Sequence, residues 1–135
     1  TNLVVPKTGD VLGKIRRLAE WVQDNLGKDT PFHLLRFHPH YQMTDRPSTP
    51  IALMEKGYEA AKEVGLNYVY MGNVPGHPYE NTYCPNCNKL LIRRHSFEIA
   101  RWRLTKDMRC PACGQKIAIK GEFHPGGFSY PYAIV

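Results

Sequence analysis

Two tight pairs of cysteines limit what this chain can fold into. Cys84-Pro85-Asn86-Cys87 and Cys110-Pro111-Ala112-Cys113 give C-x2-C, a gap of 22 residues, and C-x2-C, and they use all four cysteines of the 135-residue sequence. Two residues between partners is the spacing of metal knuckles rather than of a disulfide framework, which places the chain in a reducing compartment. Each knuckle presents two thiolates from a turn, and two knuckles complete a tetrahedron, so the pattern points to one zinc ion. Iron or an iron–sulfur cluster also accepts four thiolates, and spacing alone does not separate them, although paired knuckles of this kind usually hold zinc. A catalytic zinc keeps a position open for water, whereas four thiolates close the sphere. The expected role is therefore a staple for a module with too little core of its own. Between the knuckles, Leu90-Leu91-Ile92 and the run from Phe97 to Leu104 are short strand candidates, so residues 77–122 read as a zinc ribbon.

Upstream the patterning is different. Leu3 to Pro6 is an apolar run closed by proline, as in a buried strand. Val11, Ile15, Leu18, Val22 and Leu26 then recur at helical spacing, with Asp10 placed as N-cap and Gly27 as a left-handed stop. Phe32 to Phe37 reads as a second strand, ended by His38-Pro39, and Tyr41 to Ser48 as a polar loop. Thr49-Pro50 supplies an N-cap and a first-turn proline for a second helix carrying Ile51, Met54, Tyr58 and Ala61 up to Gly65. Asn67 to Met71 is a third strand. Single helices between strands imply parallel pairing with right-handed crossovers. The fold class is thus α/β, β-α-β-α-β over residues 1–76 followed by the ribbon, with 123–135 as an irregular aromatic tail around Phe128, Tyr130 and Tyr132. Three parallel strands would leave an edge or a face open, so this region looks like part of a larger sheet or barrel.

A composition of 42% hydrophobic and 22% charged residues is that of a folded globular chain and excludes a mainly disordered one. No apolar run approaches the roughly 18 residues a bilayer span needs, and Thr1 to Asp10 lacks the pattern of a signal peptide, so no membrane partner and a cytoplasmic location are expected. The formal charge of +6 falls to +4 once four thiolates and a dication are included. Such a moderate excess permits an acidic partner without demanding one.

Several residue strings go beyond pattern: Arg36-Phe37-His38-Pro39, Met43-Thr44-Asp45, Tyr68-Val69-Tyr70-Met71-Gly72-Asn73-Val74-Pro75-Gly76-His77 and Glu80-Asn81-Thr82-Tyr83-Cys84-Pro85. With them, nearly the whole chain resembles the C-terminal half of radical S-adenosylmethionine proteins of the AmmeMemoRadiSam group, the pyruvate formate-lyase activating enzyme homologues. The resemblance implies the late strands of an incomplete TIM-like barrel, with a 4Fe-4S cluster and S-adenosylmethionine bound in a complete parent protein. It implies an N-terminal barrel half, in the same chain or a separate subunit, and leaves room for a protein substrate. The group's C-x3-C-x2-C cluster motif has no counterpart here, so the chain alone is not expected to be catalytic. Asn88 is a smaller departure, at a position where the group leads one to expect glycine.

Barrel enzymes place their chemistry at the C-terminal ends of strands, which picks out Arg36, His38, Asn73 and His77 as a candidate substrate or cofactor face, or as residues that cap strands and fix loops. Arg93, Arg94, His95, Arg101, Trp102 and Arg103 between the knuckles motivate a second reading. In it a stand-alone ribbon meets nucleic-acid phosphates or a protein partner, with Trp102 stacked on a base. Glu98 and Asp107 interrupt that patch, which favours a solvated face with Trp102 in the core. His38, His40, His77 and His124 match no metal-ligand spacing and read as surface and loop histidines.

Overall fold

The computed structural model describes residues 1–121 and 123. Strands β1 (Asn2–Val4), β2 (Phe32–Arg36) and β3 (Val69–Gly72) form a parallel sheet in the order β1-β2-β3, joined by helices α1 (Val11–Leu26) and α2 (Ile51–Val64). The sequence pattern therefore located every element of this half, with shorter strands than expected. Both helices lie on one face. Val4, Phe32, Leu34, Val69 and Met71 point toward them and share a core with Ile15, Ala19, Val22, Met54 and Ala61. Because strand side chains alternate, Leu3, His33, Leu35 and Tyr70 fall on the opposite face, which carries no helix.

The helix periodicity gave the right elements and a partly wrong face. Ile15 and Val22 are buried as expected, but Leu18 and Leu26 are exposed, and the small Ala19 takes the inner position. On α2, Ile51 is exposed while Met54, Gly57, Ala60 and Ala61 are buried. Gly57 explains the close packing: a methyl group there would meet Ile15 Cδ1 at 2.8 Å and Leu34 Cδ1 at 3.4 Å. The helices therefore meet over small residues rather than over the large apolar stripe that periodicity selects.

Two of the caps are also different. Asp10 accepts from the Gly13 amide at 2.9 Å, as its position implies. Gly27 has the positive φ, 91°, that favours glycine, but its ψ of 156° differs from the αL geometry of the second helix's cap, Gly65. Thr49 does not cap α2, whose boundary residue is Pro50 with no side-chain bond. Instead Thr49 is fully buried, donates from Oγ1 to the Val4 carbonyl, and accepts from the Phe37 amide at 3.3 Å. Placed beyond the ends of β1 and β2, it ties them together.

A 3₁₀ turn (Pro78–Glu80) leads to a second, antiparallel sheet of β4 (Thr82–Tyr83), β5 (Leu90–His95) and β6 (Glu98–Trp102), in that order. Its core holds Leu91, Ile92, Ile117, Cys84 and Cys110 together with Tyr68 from the end of the α2–β3 connection. Tyr68 also accepts a hydrogen bond at its hydroxyl from the Ala118 amide, at 3.1 Å. The two sheets are thus fastened through side chains at β3. The expected boundary at 76/77 falls in the connection between the sheets, although Tyr68 contributes to the core on the far side of it. Of the expected aromatic tail, only Phe123 lies within the described residues. No helix among the described residues is long and apolar enough to cross a membrane.

Candidate metal centre

The two knuckles are built alike. In the first, the Asn88 amide donates to the Cys84 carbonyl and the Cys84 amide to the Lys89 carbonyl, both at 2.9 Å. In the second, the Gly114 amide donates to the Cys110 carbonyl and the Cys110 amide to the Gln115 carbonyl, again at 2.9 Å. Each turn needs a left-handed residue after its second cysteine, and Asn88 (φ 56°) and Gly114 (φ 74°) supply it. The departure at Asn88 is thus conformationally silent, since asparagine tolerates this region better than other side chains.

These turns bring the four sulfurs together. Cys84 Sγ lies 3.5 Å from Cys113 Sγ, Cys87 Sγ lies 3.6 Å from Cys110 Sγ, and all four fall within 4.8 Å of one another. A tetrahedron with zinc–sulfur bonds of about 2.3 Å has edges of about 3.8 Å, so the donor set and its spacing fit one tetrahedral ion. Cys84 and Cys110 are buried in the core of the module, while Cys87 and Cys113 are exposed. As thiols they differ. The Asn86 side chain, then the Gln115 amide, lower Cys113 to about 6. At Cys87 the Lys89 amide pulls downward but is outweighed by desolvation and the neighbouring sulfurs, which raise it to about 12. A bound cation replaces this uneven sharing of protons by four thiolates, so metal binding releases protons. The tetrad includes all four cysteines, which leaves none for the three-cysteine motif of an S-adenosylmethionine cluster.

The other candidate residues divide. Arg36, His38 and Asn73 gather beyond the C-terminal ends of β2 and β3. Asn73, itself left-handed at φ 61°, donates from its side-chain amide to the Arg36 carbonyl at 3.0 Å. Arg36 Nε donates to the Thr49 carbonyl at 2.8 Å, and His38 Nδ1 lies 3.0 Å from Ser48 Oγ. His77 faces elsewhere. Its Nδ1 accepts from the Tyr79 amide at 3.2 Å, so Nε2 carries the proton and meets Glu55 Oε1 on α2 at 3.2 Å. That is the geometry of a turn cap. His38 and His77 therefore have separate partners, His40 sits in a loop bridge with Met43, and His124 lies outside the described residues. Among the described residues the cysteine tetrad is the one group of three or more side chains placed to hold a metal ion.

The basic group between the knuckles is also split. Arg93 and Arg101 are exposed and directly opposite on β5 and β6, and His95 and Arg103 are exposed too. Arg94 turns inward to Thr82 and Tyr70, and Trp102 stacks on Phe123 with ring centroids 5.1 Å apart. One face of the aromatic ring that the nucleic-acid reading uses is thus occupied by Phe123.

No family model and no solved structure matches the chain. A curated protein of Methanocaldococcus jannaschii, described as uncharacterized, is 49% identical over 120 residues. The match covers 88% of this chain but 36% of that protein, so the chain spans about a third of the length of the relative.

What sequence reasoning missed is the cleft between the helix-free face and the second module. His33, Leu35, Tyr70, Glu80, Thr82 and Arg94 line it. The signal was available in the strands, where His33 and Leu35 alternate with the buried Phe32 and Leu34.

Proposed function

We propose that this chain is the C-terminal portion of a radical S-adenosylmethionine enzyme. In this reading it contributes late strands of a TIM-like barrel and a zinc ribbon whose metal is structural. The supporting observation is the one-sided sheet. Parallel sheets bury both faces, yet here helices cover one only, and Leu3 on edge strand β1 is half-exposed on the other. Leu18 and Trp21, a turn apart on α1, form a second exposed apolar stripe, as expected of a helix that meets a preceding helix in a larger barrel. A relative about two and a half times as long fits the same reading.

The N-terminal barrel half, in the same polypeptide or a separate subunit, would carry the 4Fe-4S cluster and bind S-adenosylmethionine. The chain by itself would hold zinc and transfer no electron. The test is to purify the longer polypeptide without oxygen, reduce it with dithionite, and assay for 5′-deoxyadenosine from S-adenosylmethionine. The reading expects cleavage by the longer protein and none by residues 1–135, which should carry one zinc per chain. A longer polypeptide that neither assembles a cluster nor cleaves S-adenosylmethionine would sink it.

A further inference from the structure

The cleft on the helix-free face has a volume of about 570 Å³, within the range of small-molecule sites. Its body is apolar: Leu35 from the parallel sheet, Ile99 from β6, and Ile117 and Ile119 from the segment after the second knuckle. One wall is aromatic, with Tyr70 and His33 stacked at 4.9 Å between ring centroids. Burial, followed by nearby positive charge that includes Arg94, lowers the proton affinity of His33.

Arg94 is the unusual group. It is half-buried, its guanidinium carbon sits 5.5 Å over the centre of the Tyr70 ring, and its Nη1 donates to Thr82 Oγ1 at 2.6 Å and to the Glu80 carbonyl at 3.4 Å. Both acceptors are neutral, and no carboxylate among the described residues lies within ion-pair distance of it. Glu80 lines the same cleft, but its Oε2 is turned to the amides of Gly76 at 2.7 Å and Ser96 at 3.4 Å. Thr82 and Tyr70, whose hydroxyls are 3.1 Å apart, hold one edge of the guanidinium still and leave its remaining donors unassigned.

A half-buried, positioned cation with no counter-ion among the described residues, at the wall of an apolar and aromatic cleft, suits an anion. The geometry points to a binding site for a small organic carboxylate with an aromatic or apolar body, its carboxylate on Arg94 and its body against Tyr70, Leu35 and Ile99. A single guanidinium with no helix N-terminus beside it matches one negative charge better than a phosphate dianion. The cleft lies on the face that the radical-enzyme reading places inside a barrel, but the walls named belong to this chain, so the site is tested on residues 1–135 whatever the outcome for the longer protein.

The test titrates the zinc-loaded chain calorimetrically with naphthylacetate, its neutral isostere naphthylacetamide, and naphthyl phosphate. The carboxylate should bind about tenfold or more tightly than the amide and more tightly than the phosphate. Arg94→Gln should abolish that preference, and Ile99→Trp, which fills the mouth from an exposed strand position, should abolish binding while zinc stoichiometry is unchanged. Equal binding of acid and amide, or a phosphate that binds best, overturns the assignment. So does the absence of carboxylate binding at millimolar concentration, or its survival in Ile99→Trp.

Discussion

Asn88 and Gly114 hold corresponding positions in the two knuckles, and both have positive φ because the turn must bring its cysteines to the same ion. Asn88→Gly should leave metal affinity unchanged or slightly raised. Asn88→Val forces a branched side chain into the left-handed region and should cost about 1–2 kcal/mol, read as weaker zinc retention against a competing chelator. At another residue pair, Tyr58 and Tyr79 stack at 3.7 Å between ring centroids, and Tyr79 donates to Glu59. Desolvation first, and then the neighbouring phenols and the Glu59 carboxylate, raise Tyr58 to about 12, while the hydrogen bond to Glu59 does most to raise Tyr79 to about 12. The protonated phenol is the favoured form, so the stabilisation is complete below the unfolded value near 10 and is lost as pH climbs from there toward 12. Burial also raises Tyr68, so phenolate absorbance should appear late for at least three of the eight tyrosines in a spectrophotometric titration.

The elements are joined by side chains that secondary-structure patterns cannot assign. Thr49 has the residue type and position of an N-cap, and a cap is what local sequence implies. Its hydroxyl is instead used across 45 positions of sequence, on the Val4 carbonyl. Thr49→Val keeps the volume and removes the donor, leaving that carbonyl without its partner inside the core, and should destabilise the protein by about 1–3 kcal/mol in chemical denaturation. A loss of only a few tenths of a kcal/mol would mean that the Thr49 hydroxyl contributes little to tying the strands. The inward face of α2 follows the same logic. Gly57, Ala60 and Ala61 are chosen by the close approach of α1, which the apolar period of either helix alone does not contain.

For the whole molecule, the metal and the parallel sheet act on different cores that meet at Tyr68. The second module has few large buried side chains apart from its cysteines, chiefly Leu91, Ile92 and Ile117, so the structural-metal reading expects its order to depend on the ion. Removing zinc with a chelator should abolish amide-exchange protection in β4, β5 and β6 while β2 and β3 stay protected. Uniform loss across both sheets would show instead that the Tyr68 anchor makes one cooperative unit, and unchanged protection in β5 would rule out a structural role for the metal.

Local chemistry was enough to read the cysteine pairing, the knuckle turns, the strand–helix alternation and the Asp10 cap of α1, because each depends on residues a few positions apart. Spacing placed Cys84, Cys87, Cys110 and Cys113 on one ion before any coordinates, and the sulfurs do converge. Which face each helix buries, what Thr49 and His77 bind, and how Arg94 comes to rest on Tyr70 could not be read this way. Those outcomes depend on two sheets packing at β3, where competing partners from distant parts of the chain are compared, and a side chain goes to the partner that leaves fewest buried polar groups unpaired. The cleft is the clearest product of that packing, since His33 and Leu35, Tyr70, Thr82, Arg94 and Ile117 reach it from separate segments of the sequence.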